Sequence, residues 1–214
     1  MKFRINWLLL AALFFVAPAI AHADGNPVNM VFTGVNGVND GSYYVSPYLG
    51  TMNGNAVTLY CVDFNNDVTF GQTWQANVTQ LASDNLSNTR YGGVADAQVL
   101  YEEAAWLSTQ FAANPQSDWV AIQYAMWDLF DSNAPSTGAA YWLNLAALNY
   151  NPANDGNFEI VTNVGPVALT GQVQEFIVDT PEPATLLQLG VGVLALLFLA
   201  RRKSLNSALQ QNIA

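Results

Sequence analysis

The sequence predicts an α+β fold: a single domain of antiparallel strands with an inserted helical segment, plus an N-terminal signal peptide and a C-terminal transmembrane helix. Three observations predict the domain. Residues 24 to about 80 alternate apolar and polar positions between turn dipeptides. Residues 95–149 have a helical composition, and strand-like patterns return from 157. Strands, then helices, then strands again are typical of one α+β domain, which we place at 24–180.

The first part of the body has the pattern of short antiparallel strands. Apolar positions alternate with polar ones, and turns at 39–41 and 53–55 are expected to separate the strands. The expected strands are 29–33, 43–48, 56–64 and 74–78.

The central part of the body changes to helical composition, punctuated by Pro115 and Pro135. Ser117 precedes the second apolar run and is expected to cap that helix. The expected helices are 97–112, 118–130 and 139–148, and the strands that follow them are 158–162 and 172–178.

The segment 1–23 has the three parts of a secretory signal peptide. A positive start at Lys2 and Arg4 precedes the apolar residues 8–20. Small residues then occupy the two positions that signal peptidase reads, which are Ala21 and Ala23. We therefore expect export, with residue 24 as the mature N-terminus.

The other end of the chain carries a Pro-Glu-Pro triplet, an apolar run at 184–200 and a basic cluster, in that order. The triplet and the cluster consist of Pro181, Glu182, Pro183, Arg201, Arg202 and Lys203. The apolar run is at the short end of what spans a bilayer, and the basic cluster favours a cytoplasmic end. A transmembrane helix at 184–200 is therefore expected.

This order resembles the PEP-CTERM sorting signal of Gram-negative bacteria, with the whole signal at 181–203 followed by a short tail at 204–214. The resemblance implies an inner-membrane-anchored precursor that an exosortase recognises and cleaves near the Pro-Glu-Pro. It also implies release to the cell surface or to an exopolysaccharide, biofilm-type matrix. The tail is longer than such signals usually carry.

The formal net charge is -10, and the basic residues lie almost entirely in the two terminal signals. Between 24 and 180 the only Lys or Arg is Arg90, and there is no His. So acidic a body repels phosphate backbones, which argues against nucleic-acid binding. Without His, a Ser-His-Asp or Cys-His catalytic site and a Cys/His zinc site cannot be built. We expect no cofactor, no metal and no enzymatic turnover.

Cys61 and Gln123 are the two residues that need an explanation. A lone Cys in an exported protein is buried, reactive or paired with another molecule. Gln123 lies midway along the apolar face of the second helix, between Trp119 and Trp127. A buried amide needs a partner, because leaving it unsatisfied costs about 1–3 kcal/mol. That partner is either the backbone of a neighbouring strand or Cys61 itself, through a covalent bond.

Tyr60-Cys61-Val62 and the segment 122–127 resemble the two signatures of bacterial thioester domains, which occur in surface adhesins. The resemblance implies an internal thioester with Cys61 as the sulfur, Gln123 as the acyl donor, and Tyr60 and Trp127 packed around it. Such a thioester acylates amines on a surface or matrix target. A body without Lys has no side-chain amine to quench it, although the same composition also suits solubility.

Two other functions stay open at this stage. One is a non-covalent structural matrix protein that binds polysaccharide or calcium. Residues 63–67 alternate acidic and amide side chains like the start of a calcium loop, but Val68 stands where such a loop needs Gly, which favours a solvated loop. The other is a hydrolase that uses carboxylates alone, for which Glu102 and Glu103 are poorly placed because they are adjacent on a helix.

Overall fold

The computed structural model describes residues 27–165 and 172–180, together with residue 192. Six antiparallel strands close into a barrel with the order β1-β2-β3-β6-β5-β4. The strands are β1 Val28–Val35, β2 Tyr48–Met52, β3 Asn55–Cys61, β4 Thr73–Gln80, β5 Phe158–Asn163 and β6 Phe176–Asp179.

Three helices lie between β4 and β5, as expected for an inserted helical segment. They are α1 Ala97–Ala113, α2 Trp119–Asp128 and α3 Ala139–Asn149. Short 3-10 turns occur at Leu81–Ser83, Gln116–Asp118 and Pro152–Asn157. The α+β class and the antiparallel arrangement are therefore confirmed, and closure into a barrel is what the pattern did not predict.

The alternating pattern of β1 explains how the barrel forms its core. Val28, Met30 and Phe32 are buried, whereas Asn29 and Thr33 between and beyond them are exposed. Successive side chains of a strand point to opposite faces, so the apolar set fills the barrel interior. β1 pairs with β2 on one side and with β4 on the other, which leaves it no free edge.

The hairpin between β2 and β3 follows its turn sequence. Asn53 and Gly54 both have positive φ, 49° and 83°, as a two-residue hairpin turn of type I′ requires. The turn sets the register in which Met52 faces Asn55 and Tyr48 faces Leu59. This register brings the end of β3, which carries Cys61, next to the start of β2.

The expected strand at 43–48 is wrong in all but its last residue. Residues 36–47 form a loop whose only strand-like pairing is an isolated bridge between Asn39 and Tyr44. The Asp40 carboxylate accepts hydrogen bonds from the backbone N–H groups of Ser42 and Tyr43, both at 2.7 Å. Such local side-chain bonds compete with a strand ladder and favour a turn.

Other boundaries also differ from expectation: β3 ends at Cys61 instead of residue 64. β6 begins at Phe176 instead of residue 172, because Gln172 and Glu175 take part in polar contacts outside the ladder. Ser117 does not cap α2: its hydroxyl bonds the carboxylate of Asp118 at 3.3 Å, and the preceding 3-10 turn leads into a helix without a side-chain cap.

The helices contact one another and the barrel, and α2 contacts β3 directly. The described residues 27–165 and 172–180 belong to one compact unit. In 27–165 and 172–180 no helix has the length and apolar character needed to cross a membrane. The expected signal peptide at 1–23, the expected transmembrane helix at 184–200 and the tail at 204–214 lie outside the described residues.

Candidate functional site

Cys61 is the last residue of β3, and its side chain is completely buried. The Sγ atom donates to the backbone oxygen of Asp63 at 3.2 Å. It also accepts from the Trp127 Nε1–H and from the Asp63 N–H, both at 3.4 Å. The thiol therefore sits against neutral polar groups, two of which point hydrogens at the sulfur.

Gln123 lies in the middle of α2 and is also completely buried. Its Nε2 donates to the backbone oxygen of Cys61 at 2.7 Å, and its Oε1 accepts from the Ser46 N–H at 2.9 Å. The strand backbone that satisfies the amide is thus the backbone of Cys61 itself. Two residues 62 positions apart in the chain are brought into direct contact.

Ser46 completes this arrangement, and sequence reasoning missed it. Its hydroxyl oxygen accepts the backbone N–H of Cys61 at 2.9 Å, and the residue is fully buried. It lies at the end of the 36–47 loop, where Gly37 lets the chain approach closely: a Cβ on Gly37 would lie 1.7 Å from the Val45 oxygen. A Ser before a Pro has no pattern that would have indicated this role.

The two residues expected to pack around the pair are placed differently. Trp127 is buried and contacts the sulfur through its indole N–H. Tyr60 lies on the opposite face of β3 from Cys61, because neighbouring strand residues alternate. Its ring packs on Phe111 of α1, with ring centres 5.5 Å apart. Tyr60 thus supports the strand from the helical side.

An aromatic cluster lies between the site and solvent. The ring of Trp127 has its centre 5.8 Å from that of Tyr43 and 5.3 Å from that of Phe64. Tyr43 is 39% exposed, so it forms the solvent side of the cluster. The Tyr124 ring stacks near Trp127, and the Tyr124 hydroxyl donates to Asp40 of the 36–47 loop. These contacts hold the loop over Cys61 and Gln123.

Burial raises the pKa of the Cys61 thiol to about 12, against smaller lowering effects of the Trp127 hydrogen bond and the positive charge of Arg90. At neutral pH the thiol is therefore protonated. Burial without a neighbouring base explains why this Cys is unlike the activated thiols of cysteine enzymes.

Arg90, the one base of the body, lies close by in a buried ionic network. Its guanidinium pairs with the Asp63 carboxylate and donates to Asn163 Oδ1 at 2.7 Å and to the Val173 oxygen at 2.9 Å. The Tyr91 hydroxyl also donates to Asp63, at 3.1 Å. The guanidinium therefore binds groups within the fold.

Glu175 is the second acid of this network and is completely buried. Its carboxylate accepts from the Arg90 backbone N–H at 2.7 Å and from the hydroxyls of Tyr101 and Thr162. Burial raises the pKa of Glu175, and these donors together with the Arg90 charge oppose that rise.

The expectation of a solvated loop at 63–67 is wrong for Asp63 and Asn66, which are both buried. The Asn66 amide donates to both carboxylate oxygens of Asp63, at 3.1 and 2.9 Å. Asp63 is therefore enclosed by protein donors. Among the described parts of the chain, no group of three or more Cys, Asp or Glu side chains is placed to hold a metal ion.

A second pair of buried acids joins α1 to the Pro152–Asn157 turn. The carboxyl groups of Glu102 and Asp155 are in hydrogen-bond contact, and the pKa of Asp155 is raised to about 7 by burial and by the neighbouring carboxylate of Glu102. Gln98 donates to Glu102 at 3.1 Å. The sequence pattern did not indicate this pair, because its members lie on different elements.

Comparison with known families identifies a PEP-CTERM protein-sorting motif at residues 179–203. The match covers the Pro-Glu-Pro triplet, the apolar run and the basic cluster. It supports an exported protein whose precursor is membrane-anchored until an exosortase sorts it. No curated protein and no solved structure matches the chain.

Proposed function

We propose that this PEP-CTERM exosortase substrate is a cell-surface or matrix protein whose body forms an internal thioester between Cys61 and Gln123 and bonds covalently to amines. One observation carries the proposal. The side-chain amide of Gln123 is held by the backbone of Cys61 at 2.7 Å, and both residues are completely buried. The carboxamide is thereby held against the backbone of the residue that carries the lone thiol, in a site closed to bulk solvent.

The proposed reaction balances without any added reagent. A bond forms between Cys61 Sγ and Gln123 Cδ, the bond from Cδ to Nε2 breaks, and the thiol proton leaves with the nitrogen as ammonia. A target amine later attacks Cδ, an amide forms, and Cys61 regains a proton as a free thiol. Each molecule reacts once, so the protein is an adhesin-like module and not an enzyme with turnover.

The surroundings of the sulfur favour the second step, in which Cys61 Sγ is the leaving group. Developing negative charge on Cys61 Sγ meets the N–H groups of Trp127 and Asp63, and preorganised donors are worth more in a site that excludes water. The same exclusion of water protects a thioester from hydrolysis. The aromatic cluster of Tyr43, Phe64 and Trp127 provides this protection.

The composition of the body supports a stored electrophile. From 24 to 180 there is no Lys whose amine could react with the thioester and no His that could catalyse its hydrolysis near neutral pH. The single Arg is held by Asp63 and does not act as a nucleophile, because its guanidinium stays protonated.

The intact mass of the purified exported protein tests this proposal. We expect a deficit of one ammonia, which Cys61→Ala or Gln123→Ala abolishes and Ser108→Ala leaves in place. Ser108 is a matched control, since it is buried in α1 and bonds its own helix. Incubation with methylamine should replace the deficit by a covalent methylamine adduct on Gln123.

An intact mass without the ammonia deficit, together with a titratable Cys61 thiol in the native protein, would contradict the thioester. That result would leave the non-covalent role in a matrix, through polysaccharide or calcium binding, as the function to test. For the sorting step, deletion of Arg201, Arg202 and Lys203 should leave the precursor unprocessed in the membrane fraction. Unchanged release would argue against sorting through this cluster.

A further inference from the structure

We infer that Ser46 is a positioning residue of this chemistry: its N–H binds the Gln123 oxygen when the carbonyl carbon becomes tetrahedral, and its hydroxyl holds Cys61 in place. The inference rests on the proposed thioester. It assigns the oxyanion donor of that reaction to a loop residue that lies 15 positions before Cys61 and 77 before Gln123.

The first observation is the hydrogen bond from Ser46 N to Gln123 Oε1, which is 2.9 Å long and completely buried. Attack of a sulfur or an amine on Gln123 Cδ moves negative charge onto this oxygen. A backbone N–H already aimed at it stabilises that charge without reorganisation. Ser46 is therefore placed to accelerate both thioester formation and the reaction with a target.

The second observation is that only one of the two bonds to the Gln123 amide can persist. The bond from Nε2 to the Cys61 oxygen disappears when ammonia leaves, because Nε2 is the departing atom. The bond from Ser46 N to Oε1 remains, since the acyl oxygen is retained. Ser46 would thus keep the acyl group oriented in the thioester state.

The third observation links the donor to the nucleophile. The Ser46 hydroxyl accepts the Cys61 N–H at 2.9 Å, so the same residue contacts both reacting partners. The 36–47 loop is kept close by the Asn36 N–H to Pro47 oxygen bond and by the close packing at Gly37. A shift of Ser46 would therefore move the oxyanion donor and Cys61 relative to Gln123.

Two variants separate the two roles of Ser46. Replacement of residue 46 by its α-hydroxy acid analogue exchanges only the N–H for an ester oxygen, and we expect the reaction with methylamine to slow about 100-fold. Ser46→Ala removes only the hydroxyl, and we expect a decrease of about tenfold from the lost hydrogen bond. Ser46→Thr keeps both groups and should retain most of the wild-type rate.

The readout is the rate at which the methylamine adduct appears in the intact mass, compared with the urea midpoint of each variant. Ser108→Ala loses a buried hydroxyl elsewhere and should react at the wild-type rate. If Ser46→Ala does not fold, the rates of the ester analogue and of Ser46→Thr still test the role of Ser46.

If the wild-type protein shows the ammonia deficit and the ester analogue reacts as fast as the wild type, the role of Ser46 is overturned. The thioester itself is not. A wild-type protein without any ammonia deficit would overturn the thioester and this inference with it. The two failures are therefore distinguishable.

Discussion

Two buried polar regions meet at Asp63 and differ in how they are built. On one side, Cys61, Gln123 and Ser46 are joined by hydrogen bonds between neutral groups. On the other, Asp63 pairs with Arg90, whose backbone in turn binds Glu175. All six residues are 5% exposed or less, so neither region relies on solvent for its partners.

The region around Cys61 contains the groups that would react, whereas the region around Arg90 supports the fold. Buried charges need strong compensation, and a network that supplies it is costly to disturb, which makes the Arg90 side a rigid support. The Cys61 side has only neutral bonds, one of which is lost if the amide reacts. The Arg90 guanidinium is held by Asp63, Asn163 and the backbone oxygen of Val173. We expect substitutions around Arg90 to change mainly the stability of the fold, and substitutions around Cys61 to change mainly the reaction with amines.

The largest expected effect is on stability, from Arg90→Met. The substitution leaves the buried carboxylates of Asp63 and Glu175 without their cation, which should lower the free energy of unfolding by about 3–5 kcal/mol. Urea denaturation measures it, in a Cys61→Ala background so that no cross-link contributes. Asp131→Asn is the control: this acid bonds Asn65 in an exposed position and should change stability by no more than about 0.5 kcal/mol. Equal effects would contradict the structural role of the network.

The second prediction concerns the cross-link that the proposed thioester would form between Cys61 and Gln123. A thioester between residues 62 positions apart restricts the unfolded chain as a disulfide does, which corresponds to a stabilisation of about 2–4 kcal/mol. Methylamine treatment opens the link and should lower the urea midpoint accordingly. Cys61→Ala has no link, so its midpoint should not respond to methylamine. An unchanged midpoint in treated wild-type protein would argue against a link between these two residues.

The third prediction uses a buried acid pair that lacks a cation. The pKa of Asp155 is raised to about 7 in the folded protein, so its protonated form stabilises the fold most fully below its ordinary pKa. That stabilisation should decline as the pH rises from about 4 towards 7, because over this range the folded state still binds a proton that the unfolded state has already released. Asp155→Asn should flatten this part of the stability curve, measured by thermal unfolding from pH 4 to 8.

Another acid with a raised pKa, Asp179, provides the control for this prediction. Burial also raises the pKa of Asp179, so Asp179→Asn should remove its own smaller share of the slope and leave the share of Asp155 in place. A curve as steep in Asp155→Asn as in the wild type would show that the Glu102–Asp155 contact does not hold the proton.

The smallest expected effect is on rate, from Trp127→Phe. Phe keeps the ring contacts with Tyr43 and Phe64 but removes the N–H that points at Cys61 Sγ. The loss of one neutral hydrogen bond of about 1 kcal/mol should slow the methylamine reaction by roughly fivefold. The intact-mass rate assay measures this, with Trp119→Phe on the same helix as control. Equal rates in both variants would contradict a role of the indole N–H.

Sequence patterns predicted most of the fold because the periodicity of its core is local. The alternation of Val28, Met30 and Phe32 and the turn at Asn53 and Gly54 each predict structure within a few residues. The pattern failed at 43–48, where aromatic and β-branched residues indicate a strand but Asp40 satisfies the backbone of a loop. A side chain that bonds its neighbours' backbone can outweigh a composition that favours a strand.

The sequence by itself determined the C-terminal sorting motif, the acidic body without Lys or His, and the unusual pairing of one Cys with a Gln on an apolar helix face. Those features depend on composition and on spacing within single segments. Only the tertiary structure decided that Ser46 touches both residues, that Tyr60 packs on Phe111, and that Arg90 pairs with Asp63. Such contacts join segments far apart in the chain, and closure of the barrel with its packed helices sets their geometry.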